Sequence, residues 1–117
     1  MPAFSIKTFS LWSGFVCCLI ISSHSFAAEQ IIWIDVRTPA EFASGHVKNA
    51  YNIEFQIIGE QITGATQDKN AQLLLYCKSG RRSGVAKRTL EKLGYQNVTN
   101  VGGVRDALRV AEKLKNR

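Results

Sequence analysis

The sequence predicts an α/β domain in which a small parallel β-sheet is flanked by helices on both faces. One observation and one general rule lead to this fold class. Short runs rich in β-branched and aromatic residues alternate along the chain with segments that carry helix-start and helix-stop signals. Strands that alternate with helices are joined by right-handed crossovers, which place the helices over both faces of a parallel sheet. We expect one such three-layer domain over residues 28–117.

Residues 1–27 have the pattern of a cleaved secretory signal peptide. They contain one lysine and no acidic residue, and the apolar run 11–21 is followed by a short segment that ends at Ala27. Small residues at Ser25 and Ala27 occupy the positions that signal peptidase reads, so cleavage is expected before Ala28. The apolar run is shorter than the roughly 20 residues that span a bilayer, which argues against an uncleaved anchor. The sequence therefore predicts export and no membrane attachment of the mature protein.

Loss of this segment changes the meaning of the cysteines. Cys17 and Cys18 would leave with the signal peptide, so the mature chain would keep Cys77 alone. An unpaired cysteine in an exported protein implies a reactive role or an intermolecular partner. A buried, inert thiol is the common alternative for cysteine, but the polar residues that follow Cys77 argue against it.

The first half of the domain has clear local signals. Residues 30–36 form a short apolar run that predicts a buried strand. In residues 38–41 a threonine serves as N-cap, a proline takes the first helical position and a glutamate completes a capping box. Gly45 ends that helix. A second short strand is expected at 50–53, and a helix at 54–62.

The second half of the domain contains the candidate nucleophile. Residues 72–76 predict a third strand, and Cys77 lies at its carboxyl end. A helix is expected over 83–93, followed by a last strand at 98–101, a turn at a glycine pair and a C-terminal helix from residue 104. Ligands of parallel sheets bind beyond the carboxyl ends of the strands. The predicted fold therefore places Cys77 at the edge of the sheet where a ligand is expected to bind.

The segment after Cys77 has the composition of an anion-binding loop. A tight loop can aim its backbone N–H groups at one point, and a glycine lets the backbone curl without a Cβ clash. A helix N-terminus and nearby cations lower a thiol pKa below its free value of about 8.5, and the thiolate is the nucleophilic form. We therefore predict Cys77 as a covalent catalyst. The predicted substrate-binding residues are Lys78, Ser79, Gly80, Arg81, Arg82 and Ser83.

Three ordered motifs resemble the single-domain rhodanese family of thiosulfate sulfurtransferases over essentially the whole mature length, and most closely its periplasmic type. These motifs are Asp35-Val36-Arg37 with Glu41-Phe42 and Gly45-His46-Val47, then Tyr76 to Ser83, then Leu93-Gly94-Tyr95 with Val98 and Gly102-Gly103. The resemblance implies a rhodanese-like three-layer domain. It also implies a ping-pong reaction in which Cys77 takes sulfur from thiosulfate, sulfite leaves, and the Cys77 persulfide passes its sulfur to cyanide or a thiol.

The expected partners are thus a small anionic donor and a nucleophilic acceptor, and the protein is expected to act as a periplasmic monomer. No cofactor is expected. No metal site is expected either, since the one histidine of the mature chain, His46, and Cys77 cannot form one alone. The chain carries a net charge of +6, but its cations are spread along the sequence without interleaved aromatic residues, so nucleic acid is not an expected partner.

Three alternatives have weaker support in the sequence. Cysteine-based phosphatases and arsenate reductases place an arginine after five intervening residues, a position that Ser83 occupies here, so Arg82 falls one residue short. A thiol redox enzyme would require a Cys-x-x-Cys pair, which the mature chain lacks. A rhodanese-like carrier or binding module without significant turnover is the remaining alternative, and a binding module would be expected to lack Cys77. His46 follows a helix-ending glycine, so a structural role is expected for it.

Overall fold

The computed structural model describes residues 30–117, so the predicted signal peptide and its cleavage position lie outside the described residues. The predicted fold class is confirmed. Four parallel strands form one sheet in the order β2-β1-β3-β4. The strands are β1 (Ile31–Asp35), β2 (Tyr51–Asn52), β3 (Gln72–Cys77) and β4 (Asn97–Gly103). The helices are α1 (Pro39–Ala43), α2 (Ile58–Gln61, continued by a 3-10 turn at Ile62–Gly64), α3 (Arg81–Lys92) and α4 (Val104–Lys115).

Apolar side chains cover both faces of the sheet, which makes the domain three layers thick. On one face, α2 and α3 pack against alternate residues of β1 and β3, and these buried side chains include Ile34, Ile58, Leu75, Leu90 and Cys77. On the other face, Tyr76 packs with Val47 and with Ala107 of α4. Successive residues of a strand point to opposite faces. Cys77 therefore faces α3, whereas Tyr76 faces α4.

A buried ion pair holds the carboxyl end of β1. The Arg37 guanidinium donates to both carboxylate oxygens of Asp35, at distances from 2.6 to 3.1 Å. It also donates to the carbonyl of Gly45 at 2.7 Å, so the pair ties the end of β1 to the turn that follows α1. Both residues are buried, and neither has a buried side-chain nitrogen or oxygen without a hydrogen-bond partner.

Two predicted boundaries near the site are wrong. The helix predicted over 83–93 begins at Arg81, because Gly80 adopts a left-handed φ of +93° and serves as its N-cap. The glycine pair predicted to form a turn instead ends β4, and α4 begins at the next residue. A bulge lies there, since Leu75 pairs with Asn100 whereas Tyr76 pairs with Gly102, whose φ is +108°. The helix predicted over 54–62 is also shorter and covers only α2 and its 3-10 turn.

Candidate active site

Cys77 is the last residue of β3, and only Lys78, Ser79 and Gly80 separate it from α3. Its side chain is completely buried, on the face that α3 covers. Because α3 starts at Arg81, the residues Arg81, Arg82 and Ser83 belong to the first helical turn rather than to the loop. The first turn of a helix has free backbone N–H groups and the positive end of the helix dipole. The cysteine sulfur therefore lies where a negative charge is stabilised.

Hydrogen-bond donors surround this sulfur. The Gly80 backbone N–H donates to Cys77 Sγ at 2.9 Å, and the Ser83 hydroxyl oxygen lies 3.5 Å from the sulfur. Burial, the largest single effect, raises the pKa of the Cys77 thiol, but hydrogen bonds from the Ser83 side chain and from the backbone N–H groups of Ser83, Ser79 and Gly80 outweigh it. The pKa is thereby lowered from its ordinary value. Cys77 is buried but is not an ordinary core thiol.

The cations of the loop contribute differently from the sequence prediction, which assigned Lys78, Arg81 and Arg82 a direct part in lowering the thiol pKa. The main groups that lower it are the hydroxyl and amide donors. Lys78 and Arg81 are exposed, and within residues 30–117 neither forms an ion pair. Arg82 is instead joined to Glu41, so its charge is already compensated.

Glu41 serves two structures at once. Its carboxylate accepts hydrogen bonds from both terminal nitrogens of Arg82, at 2.8 and 2.9 Å. It also accepts from the Thr38 backbone N–H at 3.3 Å, which completes the predicted capping box of α1. The pair raises the pKa of Arg82, to which the Cys77 sulfur adds a smaller contribution, and lowers the pKa of Glu41 to about 2. The sequence predicted Glu41 as a helix cap only, and its contact with the site residue Arg82 was missed.

Asn100 is a second residue near the site that the sequence analysis missed. Its side-chain NH₂ donates to the Gly80 carbonyl at 2.8 Å, and its Oδ1 accepts from the Ser83 hydroxyl at 2.7 Å and from the Gly102 N–H at 3.0 Å. The one available signal was its place near the carboxyl end of the strand beside β3. Asn100 thus joins β4, the loop and α3 in a single cluster.

Gly103 allows the loop to approach β4 closely. It pairs with Cys77, and a Cβ at this position would lie 2.6 Å from the carbonyl oxygen of Lys78. Real Cβ atoms essentially never approach an atom so closely. The glycine is therefore required by the path of the backbone between β3 and α3.

His46 has the structural contacts expected for it. Its ring stacks on Phe42 with centroids 3.6 Å apart and planes 9° from parallel, and its Nδ1 lies 2.8 Å from the Phe42 carbonyl. The ring is exposed and follows α1. Across residues 30–117, no group of three or more histidine, cysteine, aspartate or glutamate residues could hold a metal ion.

Comparison with known families decides what this arrangement is. The family described as Rhodanese-like domain matches residues 23–107. The chain belongs to the rhodanese family. This rhodanese is 44% identical to thiosulfate sulfurtransferase PspE of Escherichia coli over 88 residues, which is 75% of this chain and 83% of that protein. It is also 33% identical to a sulfurtransferase of Allochromatium vinosum, over 71% of this chain and 76% of that protein.

Solved structures give the same result. The E. coli structure described as a rhodanese with anions has 43% sequence identity and a TM-score of 0.63, covering 65% of this chain and 89% of that chain. A rhodanese-like domain protein of Staphylococcus aureus has 29% identity and a TM-score of 0.59, covering 71% of this chain and 78% of its own. This rhodanese is a sulfurtransferase. None of its helices within residues 30–117 has the length and apolar character that crossing a membrane requires.

Proposed function

We propose that this rhodanese transfers sulfane sulfur from thiosulfate to a nucleophile such as cyanide or a thiol, through a persulfide on Cys77. The observation that carries the proposal is the environment of Cys77 Sγ, which receives the Gly80 N–H at 2.9 Å and has a lowered pKa although its side chain is completely buried. An oriented set of donors in a desolvated site stabilises a thiolate and, in the same way, a persulfide anion.

Each step of this reaction is balanced without a redox partner. The Cys77 thiolate attacks the outer sulfur of thiosulfate, an S–S bond forms, and sulfite leaves with the electron pair of the S–S bond of thiosulfate. The acceptor then attacks the terminal sulfur, and the Cys77 thiolate leaves. Negative charge remains on or next to Sγ throughout, where Gly80, Ser79 and Ser83 donate.

The cations divide into two groups in this proposal. Lys78 within the loop and Arg81 at the start of α3 are exposed, so their charges are available to attract a dianionic donor and to stabilise departing sulfite. Arg82 has both terminal nitrogens bonded to Glu41, so it acts as a brace between α1 and α3. Phosphate-ester hydrolysis is disfavoured for the same reason, because a bidentate arginine clamp would require those two nitrogens.

The sequence pattern of the N-terminal segment supports a cellular location for the protein. We propose that residues 1–27 are removed on export and that residues 28–117 act as a monomeric domain in the periplasm. The support is the order of basic, apolar and small residues in this segment. N-terminal sequencing of the exported protein should give Ala28 as its first residue, and a membrane-retained chain that starts at Met1 would contradict the proposal.

The mass of the intact chain after thiosulfate treatment tests the proposed function. We expect one added sulfur atom on the wild-type chain, its loss on addition of cyanide with release of thiocyanate, and no such sulfur in Cys77→Ser. The serine variant controls for any sulfur held by Cys17 or Cys18. Stable loading without release to cyanide or thiols would establish a carrier instead, and an unloaded wild-type chain would overturn the proposal.

A further inference from the structure

We propose that Asn100 is a positioning residue of the sulfur-transfer site, which holds Gly80 and the first turn of α3 so that the backbone N–H groups of Gly80 and Ser83 remain directed at Cys77 Sγ. The inference deepens the proposed function, on which it rests. None of the hydrogen bonds of Asn100 involves the Cys77 sulfur. Its effect on Cys77 is therefore indirect, through the loop and the first turn of α3.

The hydrogen bonds of Asn100 leave its amide one orientation. The Oδ1 atom accepts from two donors, the Ser83 hydroxyl and the Gly102 N–H, and the NH₂ group donates to the Gly80 carbonyl. A flipped amide would direct its NH₂ at the Gly102 N–H and its oxygen at the Gly80 carbonyl, and both contacts would be repulsive. The bulge of β4 between its pairings at Leu75 and Tyr76 is what brings Asn100 and the Gly102 N–H together.

Gly80 is the residue that most needs this support. Its N–H forms a hydrogen bond of 2.9 Å to the sulfur, and its backbone adopts a left-handed φ of +93°. Its carbonyl accepts from the Gly84 N–H at 3.0 Å within α3 and from Asn100 at 2.8 Å. Glycine has more conformational freedom than any other residue. The hydrogen bond from Asn100 restricts the backbone of Gly80, because Asn100 is on a strand outside the loop.

Asn100 also limits what the Ser83 hydroxyl can do. That hydroxyl has one proton, and the Asn100 oxygen at 2.7 Å is a closer acceptor than Cys77 Sγ at 3.5 Å. Substitution of Asn100 releases this proton toward the sulfur, which by itself would lower the thiol pKa. A test of the Gly80 contact must therefore remove the serine hydroxyl as well.

The test measures the pKa of Cys77 in the full chain, from the ultraviolet absorbance of the thiolate over a pH series. Each protein is compared with the same protein carrying Cys77→Ser, which cancels tyrosine and the other cysteines. We expect Asn100→Asp to raise the pKa, because a carboxylate oxygen would face the Gly80 carbonyl and its charge would oppose the thiolate. Sulfur loading from thiosulfate at neutral pH should fall about tenfold, the size expected for loss of one charge-assisted hydrogen bond.

Asn97→Asp is the matched control, since Asn97 is also on β4 and donates its side-chain amide to a backbone carbonyl, that of Asn70. It pairs with Gln72 at the opposite end of β3 from Cys77, so the wild-type pKa is expected. In a Ser83→Ala background, Asn100→Leu should still raise the pKa. An unchanged pKa there, or equal shifts in the two aspartate variants, would overturn the proposal. The pKa is measured without thiosulfate, so its result is independent of whether a persulfide forms.

Discussion

Glu41 and Arg82 join the short helix α1 to the first turn of α3 through two hydrogen bonds of 2.8 and 2.9 Å. The two residues lie 41 positions apart in the sequence. Each side chain is a little over one quarter exposed, so water screens the pair only in part. The helix that Thr38 caps is thereby anchored to the turn that presents Ser83 to the cysteine.

The Glu41–Arg82 pair should make the free energy of unfolding depend on pH. The pKa of Glu41 is about 2 in the folded protein against an ordinary value of 4.5, so the stabilisation is complete above about pH 4.5 and is lost as the pH falls toward 2. We expect wild type to lose about 1 kcal/mol of unfolding free energy over that interval from this group, after allowance for solvent screening. Urea unfolding at a series of pH values measures the loss.

Glu41→Gln is the informative variant, because glutamine also completes a capping box and only the charge is removed. The variant should be less stable than wild type near pH 7, and the difference should vanish near pH 2. A stability difference that stays constant from pH 7 to pH 2 would show that the carboxylate charge has no part in it.

Arg81 and Arg82 should respond differently to the same substitution. Arg81→Gln removes an exposed charge beside the loop, so kcat/KM for thiosulfate should fall roughly three- to tenfold, with little change in melting temperature. Arg82→Gln breaks the brace to Glu41, so the melting temperature should fall, with a loss of about 1 kcal/mol in unfolding free energy. Thiosulfate:cyanide assays and thermal melts on both variants separate the two effects.

Lys113→Gln provides the control for charge, since Lys113 is exposed on α4 and the variant loses the same unit of charge. Added salt should weaken wild-type activity, because exposed charges are screened over about a Debye length, and it should weaken Arg81→Gln less. Equal losses of kcat/KM in Arg81→Gln and Lys113→Gln would assign the effect to overall charge.

Gly103→Ala should disturb the active-site loop. The added methyl group would meet the Lys78 carbonyl at 2.6 Å, and both partners are backbone, so the loop must move. We expect a loss of about 1–3 kcal/mol in unfolding free energy, the usual cost of overpacking, together with slower sulfur loading of Cys77. Denaturant unfolding and the rate of sulfur loading give the two measurements.

Gly64→Ala is the matched substitution. No heavy atom lies within 4 Å of a Cβ at that position, which ends the 3-10 turn. Its stability should stay within about 0.5 kcal/mol of wild type, as for surface substitutions in general. If the two alanine variants have the same unfolding free energy and the same rate of sulfur loading, then the close approach of Gly103 to the loop affects neither stability nor activity.

Local signals in the sequence predicted the parts of this fold that depend on neighbouring residues. The capping box of Thr38 and Glu41 is present as predicted, and so is the strand that ends at Cys77. The predicted start of α3 is two residues too late, because two consecutive cations next to a glycine are also typical of a loop. In the structure the glycine is the N-cap, and the arginines begin the helix.

The contacts that the sequence analysis missed are long-range. The Gly80 carbonyl meets a side chain 20 residues away on β4, and Arg82 meets Glu41 on α1. Both contacts depend on strand order, and the first depends also on the bulge of β4, and neither feature leaves a pattern in neighbouring residues. The pKa of Cys77 shows the same limit. The helix N-terminus and the nearby cations predicted the direction of its shift, whereas the particular donors responsible, on Ser79, Gly80 and Ser83, are known only from the geometry.

The complete burial of Cys77 limits which molecules can react with its sulfur. A disulfide brings two sulfur atoms to about 2.05 Å and the two Cβ atoms to about 3.8 Å. Two folded copies cannot reach that geometry while both thiols lie under their loops and against α3. A small sulfur compound requires far less room around the loop than a second folded copy does. The fold thereby favours small reaction partners, and it protects Cys77, the one cysteine within residues 30–117, from cross-linking.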